Sequence, residues 1–258
     1  MSDTGLAGVG VLVTRPDQQA DELVQAVEGH GGQAFRFPTI EIVPRDDDAV
    51  SACASVLPIP DIAIFVSCNA VQHGLAYAEA ARIAAIGPAT AAAIEAAGRS
   101  VDIRPASGFD SEHLLREAAF EQISNTVIRI IRGQDGREVL ARTLRDRGAT
   151  VDYLAVYDRL IPEYGTAQID EYASRWQSGD INVVTAMSVA ALENLIALTP
   201  DSCMTLLART PLVTPASRVI KEALNRFPDI PAVLAEGPHA DEIVRAISTL
   251  GQTAPGKT

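Results

Sequence analysis

The sequence predicts an α/β protein of two similar domains, each a parallel sheet flanked by helices, joined by a two-stranded β-ladder. Three observations lead there. Strand–turn–helix units recur along the chain, units of the first part have ordered counterparts in the second, and two extended segments interrupt the series at prolines.

The first unit is "GVGVLVTRPDQQADELVQAVEGHGG". A buried strand over residues 9–13 turns at Thr14-Arg15-Pro16 into a helix with apolar Leu23, Val24 and Val27, closed by glycines that suit a left-handed cap. "NTVIRIIRGQDGREVLARTLRDRGA", from Asn125, repeats that order with Arg132-Gly133 at the turn, so Arg15 and Arg132 are counterparts. "IAIFVSCNAVQHGL" is answered by "INVVTAMSVAALENL", with Asn69 opposite Ser188. "IAAIGPATAAAIEAAG" is answered by "PLVTPASRVIKEALNRF", with Pro88 opposite Pro215. "GFDSEHLLREA" is answered by "PHADEIVRAI", with Glu112 near-equivalent to Glu242.

The interrupting segments are "FRFPTIEIVP" (35–44) and "VDYLAVYDRLIP" (151–162). Read as crossovers, they give domain one as 1–36 plus 163–258, domain two as 42–156, and bridging strands at 37–41 and 157–162. Within "DYLAVYDRL", strand alternation puts Tyr157 on one face with Tyr153, Ala155 and Arg159, beside a cleft between the domains.

Composition narrows the function classes. Hydrophobic residues make up 47% and aromatics only 5%, which suits aliphatic cores between helices and sheets. No apolar run approaches the roughly 18 residues of a membrane span, and "MSDTGLAGVG" lacks a signal-peptide pattern, so a cytoplasmic protein without membrane partners is expected. Cys53, Cys68 and Cys203 show no paired spacing and read as free thiols. His30, His73, His113 and His239 form no ligand pattern, so no metal is expected. A net charge of −12 argues against nucleic acid, and any anionic ligand would need locally clustered arginines. No sustained heptad demands association, so a monomer is expected.

Parallel sheets bind ligands at the carboxyl ends of their strands. The turns expected there are Thr14-Arg15, Ser67-Cys68-Asn69, Gly87 to Thr90, Arg132-Gly133, Thr185 to Ser188, and Thr214 to Ser217. Thr90, Ser188 and Ser217 can serve as helix caps, or the same free N–H groups can receive carboxylates or phosphates. Arg15 and Arg132, with Arg137 a turn further on, can pair with carboxylates. Asp110 or Ser111 reads as a cap with Glu112 in a structural role. No GxSxG elbow, P-loop or GxGxxG fingerprint is present.

Together, "VLVTRP", "FVSCNAV", "AAIGPATAAAIEAAG", "GFDSEHLL", "IIRGQDGREVLARTLRDRGATV" and "LAVYDRL" resemble the uroporphyrinogen-III synthase family in order along nearly the whole chain. The C-terminal half departs more, with "TAMSV" for the family's "TSxSA" turn and "TPAS" for "GPTT", so a hydroxyl at Ala186 is out of play. The resemblance implies cyclisation of hydroxymethylbilane with inversion of ring D and loss of water, without cofactor or metal. It implies Tyr157 as the proton donor, and Arg15, Ser67, Asn69, Thr90, Arg132, Gly133, Ser188 and Ser217 as substrate-binding candidates. The residues alone leave open a two-domain cytoplasmic binding or sensor protein without turnover, and a nucleotide-sugar transferase, although no phosphate clamp is evident.

Overall fold

The computed structural model of the 258-residue chain describes residues 5–79, 81–108, 110–134, 136 and 138–252. In chain order, β1 (Gly10–Val13), α1 (Asp21–Gly29) and β2 (Gln33–Arg36) come first. There follow β3 (Glu41–Pro44), α2 (Asp47–Ser55), β4 (Ile62–Phe65), α3 (Cys68–Gly74), β5 (Arg82–Ala85), α4 (Pro88–Ala96) and a single turn, α5 (Ser111–Leu114). Then come β6 (Val127–Gly133), α6 (Val139–Asp146), β7 (Thr150–Leu160), α7 (Thr166–Gln177), β8 (Val183–Thr185) and α8 (Val189–Leu198). The chain closes with α9 (Asp201–Leu207), β9 (Leu212–Thr214), α10 (Ser217–Arg226), β10 (Ala232–Leu234) and α11 (Ala240–Gln252).

The chain forms two similar α/β units, residues 1–41 with 161–258, and residues 42–160. The first sheet has the order β10-β9-β8-β1-β2 and is parallel throughout. The second has the order β3-β7-β6-β4-β5, with β7, β6, β4 and β5 parallel and a bridge from Ala84 to Ile103 beyond β5. Reading outward, β2-β1-β8-β9-β10 matches β7-β6-β4-β5 and Ile103. The units are the same sheet entered at different points: β1 and β2 open the first, whereas β6 and β7 complete the second.

Register sharpens this correspondence. Val11 of β1 faces Val183, and Ile128 of β6 faces Ile62, which keeps Arg15 and Arg132 as counterparts. The match of Asn69 with Ser188 shifts by two residues. Ser67 caps α3 by accepting from the Ala70 N–H at 3.1 Å, just as Ser188 caps α8 by accepting from Ala191. Pro88 likewise corresponds to Ser217, each being the first helical residue, and not to Pro215.

Burial explains the strand sequences. β1 and β4 are buried at every position because helices cover both faces, so they read as continuous apolar runs. Val11 and Val13 enter a core with Leu23, Val27 and Ile243, while Leu12 enters the opposite core with Val184, Leu192 and Trp176. In the second unit, Ile62, Ile64, Ile128 and Ile130 pack against Leu114, Phe120, Leu140 and Leu144.

The expected bridging segments need correction in detail. Residues 37–40 lie outside any strand, whereas β7 runs unbroken to Leu160 and has β3 as its neighbour in the second sheet. Alternation along β7 also fails near its end. Arg132 faces Ala155 but Gly133 faces Tyr157, leaving Val156 as an extra residue in a bulge, and Val156 and Tyr157 are both buried. Tyr157 therefore does not continue the face of Tyr153 and Ala155.

Across β6 and β7, Arg129 (3% exposed) donates from Nε to Asp152 Oδ1 at 2.8 Å and from Nη2 to the Pro58 carbonyl at 2.8 Å. Removing one partner of such a buried pair strands the other charge. Asp152→Ala should lose about 3 kcal/mol or more of unfolding free energy in urea titration; a loss below about 1 kcal/mol, the range of exposed pairs, would show that water reaches Arg129.

Candidate functional site

The carboxyl ends of β4, β6 and β7 converge on one tyrosine. Tyr157 is 0% exposed. A Cβ placed on Gly133 would lie 2.7 Å from Tyr157 Cε2 and 2.9 Å from Cζ, so the ring occupies the space that any other residue at 133 would need. The Tyr157 hydroxyl lies 3.1 Å from Ser67 Oγ, and Arg159 Nη2 donates to it at 3.3 Å. Contacts to the main chain and to the next side chain hold this part of β7. Gln134 N–H donates to the Tyr157 carbonyl at 3.0 Å, and Arg45 grips the Asp158 carboxylate through Nε and Nη2.

Ser67 serves two partners. Its extended backbone at the start of α3 makes it the cap, and the same oxygen meets the phenol of Tyr157. Asn69 and Thr90 are buried in α3 and α4, at 8% and 5% exposure. Desolvation holds the Cys68 thiol above its ordinary value, against a hydrogen bond with Thr90 that pulls the other way, so Cys68 is not an activated nucleophile. Gly87 caps α4 without a side-chain bond, and a cavity of about 490 Å³ opens there, lined by Gly87, Pro88, Glu95 and Arg104.

Arg132 folds back on its own turn. It donates to the carbonyls of Gly133 and Gln134 and to Glu138 at 3.2, 3.3 and 3.4 Å, and its guanidinium lies 4.3 Å over the Tyr153 ring. Tyr153 Oη donates to Glu138 at 2.6 Å. That bond, and then the charge of Arg132, hold the Glu138 carboxyl below its ordinary value; burial and the same bond push the Tyr153 phenol up. Arg137 lies outside the described residues.

In the first unit, Arg15 donates from Nη2 to the Pro238 carbonyl and to Met187 Sδ at 3.4 Å, and its Nε has no partner among the described residues. Burial lowers its pKa, which Glu22 only partly offsets. Ser188 caps α8. Ser217 is exposed and caps nothing, since Thr214 Oγ1 accepts from Ala216 N–H instead. Asp110 caps α5 by accepting from His113 N–H, as its sequence suggests. Among the described residues, no cluster of His, Cys, Asp or Glu could hold a metal ion, and no helix is long and apolar enough to cross a membrane.

The structure thus brings together Tyr157, Ser67 and Gly133, and keeps Arg132 nearby on the same strand end. Sequence reasoning missed Arg159, Tyr153 and Glu138 as partners. Tyr153 and Arg159 were visible as charged or aromatic members of the same strand; the bulge that separates their faces was not.

A family model described as Uroporphyrinogen-III synthase HemD matches residues 21–245. The chain belongs to the uroporphyrinogen-III synthase family. Its relatives include the uroporphyrinogen-III synthase of Salmonella typhimurium, 32% identical over 75% of this chain and 81% of that protein. The uroporphyrinogen-III synthase of Proteus mirabilis is 28% identical over 73% of this chain and 98% of that protein. Among solved structures, uroporphyrinogen-III synthetase from Helicobacter pylori has the same fold, with a TM-score of 0.62 at 11% identity, covering 94% of this chain and 99% of that one.

Because the ring of Tyr157 fills the space beside Gly133, Gly133→Ala should be costly despite its single added methyl. We expect a loss of about 1–3 kcal/mol in denaturant unfolding, typical of overpacking. An unchanged midpoint would show that Tyr157 can move aside freely.

Proposed function

We propose that the protein cyclises hydroxymethylbilane to uroporphyrinogen III, inverting ring D and releasing water, and that Tyr157 is the source of the proton that lets the hydroxyl leave. Membership of the family supports the activity. The contact that supports the role of Tyr157 is its hydroxyl, 3.1 Å from the half-exposed Ser67 at the carboxyl end of the second sheet.

The chemistry asks little of the protein beyond acid and position. Protonation of the hydroxymethyl group lets water depart and leaves an azafulvene electrophile. Ring D attacks through its substituted carbon, and the spiro intermediate fragments and recloses in the inverted sense. A positioned phenol can serve as the acid, and holding ring D against the correct carbon is an orientation problem.

The substrate's carboxylates need donors. Arg15 and Arg132 supply charged ones: Arg15 is bonded only to the neutral Pro238 carbonyl and Met187 Sδ among the described residues, and a substrate carboxylate would take the place of Glu138 on Arg132. The turns at Ser67-Asn69, Gly87-Thr90, Gly133, Ser188 and Ser217 add hydroxyl and main-chain donors. Local donors of this kind answer the net charge of −12. No cofactor is invoked, and the reading places the protein in the cytoplasm as a monomer.

Tyr157→Phe keeps the ring that fills the space beside Gly133 and removes only the hydroxyl. Its kcat should fall about a hundredfold with little change in KM, while the type III isomer still forms. Wild-type turnover by this variant would remove Tyr157 from the mechanism; saturable binding of hydroxymethylbilane by the wild type without turnover would identify a binding protein instead.

A further inference from the structure

We infer that Arg159 is a positioning residue that fixes the direction of the Tyr157–Ser67 hydrogen bond, so that Ser67 is the atom that hands the proton to the substrate. The inference rests on the function proposed above.

The direction follows from which groups can only donate. Arg159 has no acceptor, so its 3.3 Å contact must run from Nη2 to the phenol oxygen. The Ala70 N–H likewise can only donate to Ser67 Oγ, at 3.1 Å. Among the described residues the Tyr157 hydroxyl has hydrogen-bond contacts with Ser67 and Arg159, and Arg159 can only donate, so a phenol proton aimed into Ser67 Oγ, 3.1 Å away, is satisfied, whereas the reverse direction would leave that proton buried without a partner. The one hydrogen left to aim elsewhere is that of Ser67. Tyr157 itself is 0% exposed and closed in by Gly133, whereas Ser67 is half-exposed. The arginine charge sits 5.8 Å from the ring centroid, in hydrogen-bond contact with the oxygen, where negative charge appears when the proton leaves.

The transfer balances. The Ser67 hydrogen goes to the departing hydroxyl, and the carbon–oxygen bond breaks with its electron pair on oxygen, giving water. The pyrrole nitrogen pair forms the C=N bond of an azafulvenium cation, which keeps its N–H. The Tyr157 proton moves to Ser67 Oγ, leaving a phenolate that faces Arg159. When the ring-D carbon that forms the last bond sheds its proton to restore aromaticity, that proton returns through Ser67 to Tyr157. The protein ends unchanged and one water has been lost.

The test uses freshly prepared hydroxymethylbilane, with kcat, KM and the isomers formed measured for Arg159→Met, Arg159→Lys, Ser67→Ala, Ser67→Thr and Tyr157→Phe. Arg159→Met should lower kcat about ten- to a hundredfold with KM within about threefold, and Arg159→Lys should recover most of it. In the Tyr157→Phe background Arg159→Met should cost nothing further, because its target is gone. Ser67→Ala should fall about as far as Tyr157→Phe, and Ser67→Thr, which keeps both hydroxyl and cap, should recover. Arg159→Met that raises KM at unchanged kcat, or that is fully additive with Tyr157→Phe, overturns the inference. If the wild type forms no type III isomer, the proposed function itself falls, a result distinct from either.

Discussion

The second unit is organised around one steric fact: the ring of Tyr157 fills the space where residue 133 would otherwise have a side chain. That occupancy requires glycine at the end of β6. It also requires β7 to carry an extra residue, Val156, so that Tyr157 turns onto Gly133 instead of continuing the alternation set by Tyr153 and Ala155. Once the ring is seated, its hydroxyl has Ser67 on one side and Arg159 on the other. Arg45 and Gln134 then hold the strand at the bulge, the Arg45 N–H on the Val156 carbonyl and the Gln134 N–H on that of Tyr157. A buried phenol with two polar partners is both packed and satisfied, so its hydroxyl is held in one place.

The duplicated architecture shows what is specific to this site. Both units place an arginine at the carboxyl end of a matching strand, Arg15 and Arg132, and both cap the helix that follows the neighbouring strand with a serine, Ser188 and Ser67. Where the second unit brings Tyr157 to the start of α3, the first brings Thr39, whose single hydroxyl proton is shared between the carbonyls of Ala191 and Thr14, at 3.1 and 3.3 Å. Thr39 is 0% exposed and its hydroxyl is spent on main chain. The same scaffold thus yields a closed structural joint in one unit and a hydroxyl pair in the other.

Much of this was legible in the sequence. Continuous apolar runs such as "IAIF" announce strands covered on both faces, and the ordered repeat announces two copies of one sheet. Equivalences that depended on helix starts were off by two residues, because Asn69 and Pro215 look like cap or first-turn residues while the hydrogen bonds go to Ser67 and Thr214. The bulge was invisible because nothing in "LAVYDRL" breaks a period of two; it is imposed by the partner strand ending in glycine. For the same reason Tyr157, expected beside a cleft, is enclosed. Arg132 looked like a free carboxylate receptor, yet aromatic Tyr153 and acidic Glu138, each ordinary alone, are brought together around it by strand register.

On the proposed function, the fold directs ring closure instead of only binding a tetrapyrrole. The most direct measurement is the isomer composition formed from freshly prepared hydroxymethylbilane with catalytic amounts of the purified protein, set against the spontaneous reaction. Type III should dominate with the protein present, while type I forms without it. Type I as the main product in both would contradict the proposed function.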